Sequence, residues 1–146
     1  GRAELPDLVF HLIGSKAPAE VKALGDLPGV EFHGFVEDIE PFLDGCRLAV
    51  APLRYGAGVK GKVNMSMSYG QPVVATGIAV EGMYAEPGRD VLVAETPEDF
   101  AAQVLRVYRD EALWTQLSDH GLANVERHFS FDSALTSLRR LLGEAR

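Results

Sequence analysis

The sequence predicts an α/β fold, a Rossmann-like parallel sheet flanked by helices. Short apolar strand-like runs alternate with helix-like segments, and the connections between them are brief. One strand also runs directly into a glycine-rich turn that opens a helix, the arrangement of a ligand-binding edge in such sheets.

The first strand is Leu8-Val9-Phe10-His11-Leu12-Ile13, a continuous apolar run expected to be buried on both faces and ended by Gly14-Ser15. Pro18 to Leu24 follows as a short helix, stopped by Asp26-Leu27-Pro28-Gly29. Val30-Glu31-Phe32-His33-Gly34 is the second strand. Val36 to Leu43 has helical spacing, with Glu37 and Asp38 expected in its first turn, where the helix dipole favours anions. Leu48 to Pro52 is a third strand, and a helix runs from near Lys60 to Gly70. Pro72 to Thr76 and Val91 to Val93 are the fourth and fifth strands.

From Thr96 the chain turns mostly helical. Thr96-Pro97-Glu98-Asp99 supplies a cap, a proline for the first helical position and two acids behind it. Leu113, Leu117 and Leu122 mark another helix, and Phe131 to Leu142 a last one that Ser130 caps. With no repeat or linker, residues 1–146 are expected to form one domain.

Hydrophobic residues at 47% and charged residues at 24% describe a chain that folds around a core. A formal net charge of -7 excludes a broad nucleic-acid surface, though it leaves room for a small phosphate-bearing ligand. The single cysteine, Cys46, permits neither an internal disulfide nor a cysteine metal site, and it reads as a small buried residue in a reducing, cytoplasmic setting. No apolar run approaches the ~18 residues of a membrane span.

The most chemical stretch is Tyr55-Gly56-Ala57-Gly58-Val59-Lys60-Gly61-Lys62. Glycines let backbone approach a ligand closely, and the following helix adds free N–H groups and partial positive charge. Lys60 and Lys62 stand where the dipole alone favours acids, which points to an anion among them; the alternative is a solvated turn with both lysines in water. The loop matches neither the Walker pattern nor the dinucleotide fingerprint. In the helix behind it, Val63, Met67 and Gly70 share the face expected on the sheet, while Met65 and Tyr69 lie roughly opposite. Internal packing, a ligand or a partner domain could cover that second face.

These residues resemble a known family. Pro52 to Val63, then Ser68-Tyr69-Gly70-Gln71-Pro72-Val73-Val74-Ala75-Thr76, is similar to the donor-site signature of the group 1 (family 4) glycosyltransferases. Gly34-Phe35-Val36 with Asp38, Val80-Glu81-Gly82-Met83, Pro97-Glu98-Asp99-Phe100 and Phe129-Ser130-Phe131 continue the resemblance along nearly the whole chain. It implies the C-terminal half of a two-Rossmann-domain (GT-B) enzyme that transfers a sugar with retention from a nucleoside-diphosphate sugar. The acceptor would belong to a missing N-terminal domain, leaving this fragment inactive alone, and neither a metal nor another cofactor is expected. By the same resemblance Gly56, Gly58, Val59, Lys60 and Lys62 take the diphosphate. Phe35 and Val36 line the base pocket, with Asn64 and Met65 at the ribose, and Glu81 is a candidate sugar contact. No catalytic residue is assigned.

Two departures qualify the resemblance. Met65 occupies the position of the family's ribose-binding glutamate, and Ala57 replaces the first acid of its paired-glutamate pattern. The chain also starts at what corresponds to the family's second strand, and neither Arg2 nor Lys16 matches the phosphate-binding pair expected on the first. The first strand, central in that sheet, is thus expected to be missing, which predicts a non-standard sheet or a homo-oligomer. A non-catalytic nucleotide-binding or assembly module derived from the same fold is the alternative function. The four histidines show no metal-ligand spacing along the chain. Structural roles are expected for His11 and His128, and only His33 stands near the suspected base pocket.

Overall fold

The computed structural model describes residues 4–143, so Arg2 lies outside them. The chain divides into two compact units, Gly1–Phe42 and Leu43–Arg146, and each is described by itself.

In the first unit β1 (Phe10–Ile13) pairs in parallel with β2 (Val30–Gly34), with Phe10 opposite Val30 and His11 opposite Glu31. The connection holds a single helical turn, α1 (Ala19–Lys22), continued by a 3-10 turn over Ala23–Asp26. Gly25 sits against β2: a Cβ there would come within 2.9 Å of the Phe32 Cβ, so the close approach requires glycine. The expected burial of β1 on both faces is not what forms. Phe10 is exposed and the rest of the strand is half-buried, because β1 has one neighbour among the described residues. No residue from 4 to 42 is fully buried.

The helix α2 (Glu40–Gly45) begins later than its apolar spacing predicts. Glu37 and Asp38 therefore precede the helix instead of filling its first turn. The Asp38 side chain accepts a hydrogen bond from the Glu40 N–H at 3.0 Å, so a turn made by the acid competes with earlier helix initiation.

The second unit is built on β3 (Ala49–Ala51), β4 (Val73–Ala75) and β5 (Leu92–Val93), all parallel, with β4 in the middle. Side chains alternate across β4. Val73 and Ala75 pack with Val63, Met67, Ala79, Met83 and Val91 on one face. Val74 packs with Leu92, Ala94, Val107, Leu113 and Leu117 on the other. Helix α3 (Gly61–Ser68) covers the first face, and α5 (Pro97–Arg109) and α6 (Glu111–Phe129) supply the second. Among the described residues the strands thus form a parallel pair in the first unit and a parallel triplet in the second.

Helix ends follow the sequence closely. Thr96 accepts from the Asp99 N–H at 3.1 Å, Asp110 from Leu113 at 2.9 Å and Ser130 from Ser133 at 3.2 Å. Gly70 closes α3 with φ +72°, its N–H donating to Met67 O while the Gln71 N–H reaches back to Ser66 O. One helix escaped the sequence reading: the single turn α4 (Gly77–Val80), capped by Thr76. The last helix, α7 (Phe131–Leu141), has no buried residue, and Phe131, Leu138 and Leu141 are exposed.

Candidate functional site

Because β3, β4 and β5 are parallel, their carboxyl ends share one edge of the second unit. Ligands in open parallel sheets bind beyond that edge. The segment leaving β3 is the glycine loop, the one leaving β4 is Thr76 with α4 and Glu81, and the one leaving β5 contains Glu95. Thr76 binds two of these segments together. Its hydroxyl donates to Leu53 O at 2.7 Å, and its N–H donates to Ala51 O at 3.2 Å. Glu95 reaches the start of α4, accepting from the Gly77 N–H at 2.8 Å. Neither link is visible in sequence spacing, because each joins the ends of different strands.

The glycine loop needs its glycines. Gly56 has φ +143° and Gly58 φ +73°, conformations that residues with side chains rarely adopt. A Cβ on Gly56 would also come within 3.2 Å of the Lys60 side chain. Lys60 folds back over the loop, its ammonium donating to Gly58 O. It occupies the N-cap of α3 with extended backbone, no side chain caps that end, and its first turn contains no acid. The helix thereby presents uncompensated N–H groups and partial positive charge beside Lys60 and exposed Lys62. Helix starts of that kind favour anions in general and offer them backbone donors. Val59 is 49% exposed, so this face of the loop is open.

Along α3 the two faces separate as the 3.6-residue period requires. Val63 and Met67 are buried at 3% and 1%, while Met65 and Tyr69 are 42% and 39% exposed. Packing within the chain therefore leaves the second apolar stripe partly open. Asn64 lies between the faces, and its side-chain oxygen is buried with no hydrogen-bond partner among the described residues. A buried acceptor in that condition costs free energy unless something donates to it. Met65 offers no such chemistry, since a thioether is only a weak acceptor.

The structure therefore brings Gly56, Gly58, Val59, Lys60, Lys62, Asn64 and Met65 together on one loop and helix. Glu81 follows α4 on the same sheet edge and is exposed. Phe35 and Val36 belong to the first unit, after β2; Phe35 is 75% exposed there. Elsewhere in the second unit, a cleft of about 120 Å³ is lined by Tyr84, Arg89, Asp90, His120 and His128 among others. His128 stacks on Tyr84 with ring centroids 4.6 Å apart, a structural role of the kind expected for it. His11, in contrast, meets His33 and Glu31 across the β1–β2 pair, a grouping that linear spacing concealed.

A family model described as Glycosyl transferases group 1 matches residues 2–110. No curated protein matches the chain. Among solved structures, TarM superposes with a TM-score of 0.79 at 19% identity, over 96% of this chain and 30% of that one. HepE of Anabaena, solved with UDP-glucose, gives 0.80 at 18% identity, over 95% of this chain and 42% of that one. The C-terminal domain of LpcC, a group 1 family glycosyl transferase from Francisella tularensis, gives 0.74 at 17% identity over 89% and 74%. The chain thus has the length of that C-terminal domain more nearly than of the larger proteins. No described helix is long and apolar enough to cross a membrane.

Proposed function

Since the chain belongs to the group 1 glycosyl transferases, we propose that it is the half that binds a nucleoside-diphosphate sugar in a retaining glycosyltransferase. A second domain binds the acceptor in this reading, so these residues alone do not turn over. The observation that carries the reading is the uncapped, acid-free start of α3 behind a glycine loop with two positive-φ glycines. Donor N–H groups and the ammonium groups of Lys60 and Lys62 surround the diphosphate. Their charge is most valuable as the bond to the sugar breaks and the leaving diphosphate gains negative charge. No metal takes part in this step: the lysines and the helix end do that work. Asn64 and Met65 lie at the donor ribose in this reading. Glu81 contacts a sugar hydroxyl. A UDP-sugar fits the comparison with HepE, and a reducing cytoplasmic location fits the free Cys46.

Calorimetric titration of the intact protein with UDP-, GDP- and ADP-sugars tests this. Binding of at least one, weakened by Lys60→Ala, is expected; indifference to all of them would end the proposal.

Met65 favours a second reading, a non-catalytic nucleotide-binding or assembly module. Its exposed thioether stands where a ribose-binding carboxylate is expected. Met65→Glu separates the two: donor affinity rises about tenfold if the pocket operates, in line with ~1.5 kcal/mol for a hydrogen bond to a charged group. No gain means that the pocket has been abandoned.

A further inference from the structure

We propose that His11, Glu31 and His33 form a zinc-class metal site that clips β1 to β2. The three residues all lie within the first unit. His11 and Glu31 are direct partners across the parallel pair. His33 is two residues beyond Glu31, so the strand alternation puts it on the same face. The three ligand atoms converge. His11 Nδ1 is 2.9 Å from His33 Nε2 and 3.5 Å from a Glu31 carboxylate oxygen, which is 3.6 Å from His33 Nε2. Ligand atoms on a tetrahedral zinc with bonds of about 2.0–2.1 Å stand about 3.3–3.4 Å apart, and the three distances bracket that value.

The donor set selects the ion. Two imidazoles and one carboxylate suit zinc and its neighbours, whereas calcium and magnesium prefer oxygen alone. Three protein ligands leave a fourth position for water. Glu31 is 56% exposed, which gives the ion a route in. Phe42 meets both imidazoles in T-shaped contacts, with centroids 5.5 Å and 4.9 Å away, which helps to hold the ring orientations.

Metal binding to a site absent from the unfolded chain adds directly to folding stability. A hydrogen bond between the two histidines accounts for their 2.9 Å contact in the absence of metal, and a bound ion would replace that shared proton.

The test uses the full chain, without a histidine tag and freed of metal by chelation. Cobalt(II) is titrated first as a visible stand-in, then displaced by zinc. The site predicts one cobalt per chain with the intense visible absorption of four-coordinate cobalt, and slower amide hydrogen exchange in β1 and β2 when zinc is bound. His11→Gln and His33→Gln each weaken binding by roughly 100-fold or more, Glu31→Gln by about tenfold, and His120→Gln not at all. Should the histidine variants unfold, Glu31→Gln decides, since the exposed carboxylate contributes little to packing. Absence of binding by the unmodified chain overturns the proposal. So does affinity that Glu31→Gln and both histidine variants leave unchanged.

Discussion

Truncating Met67 tests how α3 is anchored and hence how the loop in front of it is held. Met67 is 1% exposed and packs with Val63, Val73, Ala75, Ala79, Met83 and Val91. Met67→Ala removes roughly three side-chain atoms beyond Cβ, worth about 2 kcal/mol of transfer at ~0.8 kcal/mol per methylene. The space left behind adds about 1–1.5 kcal/mol at ~24 cal/mol per Å3. Refilling is difficult, because the residue facing Met67 from α6 is Gly121. A Cβ there would lie only 3.4 Å from Met67 Cγ, yet the glycine has no side chain to turn into the gap. The expected loss is therefore about 3–3.5 kcal/mol, read from urea unfolding with an unchanged slope. Met65→Ala, on the open face of the same helix, should change stability by no more than ~0.5 kcal/mol. If the two variants lose equal stability, or Met67→Ala loses less than about 1 kcal/mol, the orientation of α3 is wrong and the site built on it fails.

Gly70→Ala should cost about 1–2 kcal/mol in the same assay, because φ is +72° and the new Cβ would approach the Ser118 hydroxyl at 3.1 Å; a neutral substitution would contradict the left-handed cap. Burial pushes the Cys46 thiol above its ordinary value, which leaves less thiolate at a given pH. Iodoacetamide at pH 8 should accordingly alkylate Cys46 several-fold more slowly in the native protein than in urea, and equal rates would contradict that environment.

Much of this architecture was legible because the signals were local. Thr96 and Ser130 act as caps at the expected positions, and α3 buries Val63 and Met67 while leaving Met65 open. Helix periodicity and capping involve residues within one or two turns, so one stretch of sequence contains them. What escaped depends on pairing between distant segments. His11 meets His33 only because β1 and β2 align in parallel, with Phe42 brought in from α2. Thr76 likewise reaches Leu53 O because β3 and β4 end at the same edge. The late start of α2 is a different case: Asp38 satisfies the Glu40 N–H from outside the helix, a local competition that apolar spacing ignores. The unpartnered Asn64 oxygen could be found only once its burial was known.

In the proposed function a donor diphosphate sits on the glycine loop and the start of α3. Amide-resolved NMR of the intact protein, titrated with the nucleoside diphosphate that binds best, tests it most directly. Shifts should concentrate on the backbone N–H groups from Gly56 to Asn64, with smaller effects near Thr76. Binding that moves resonances around Tyr84, Arg89 and His128 and leaves the Gly56–Asn64 amides unmoved would contradict it.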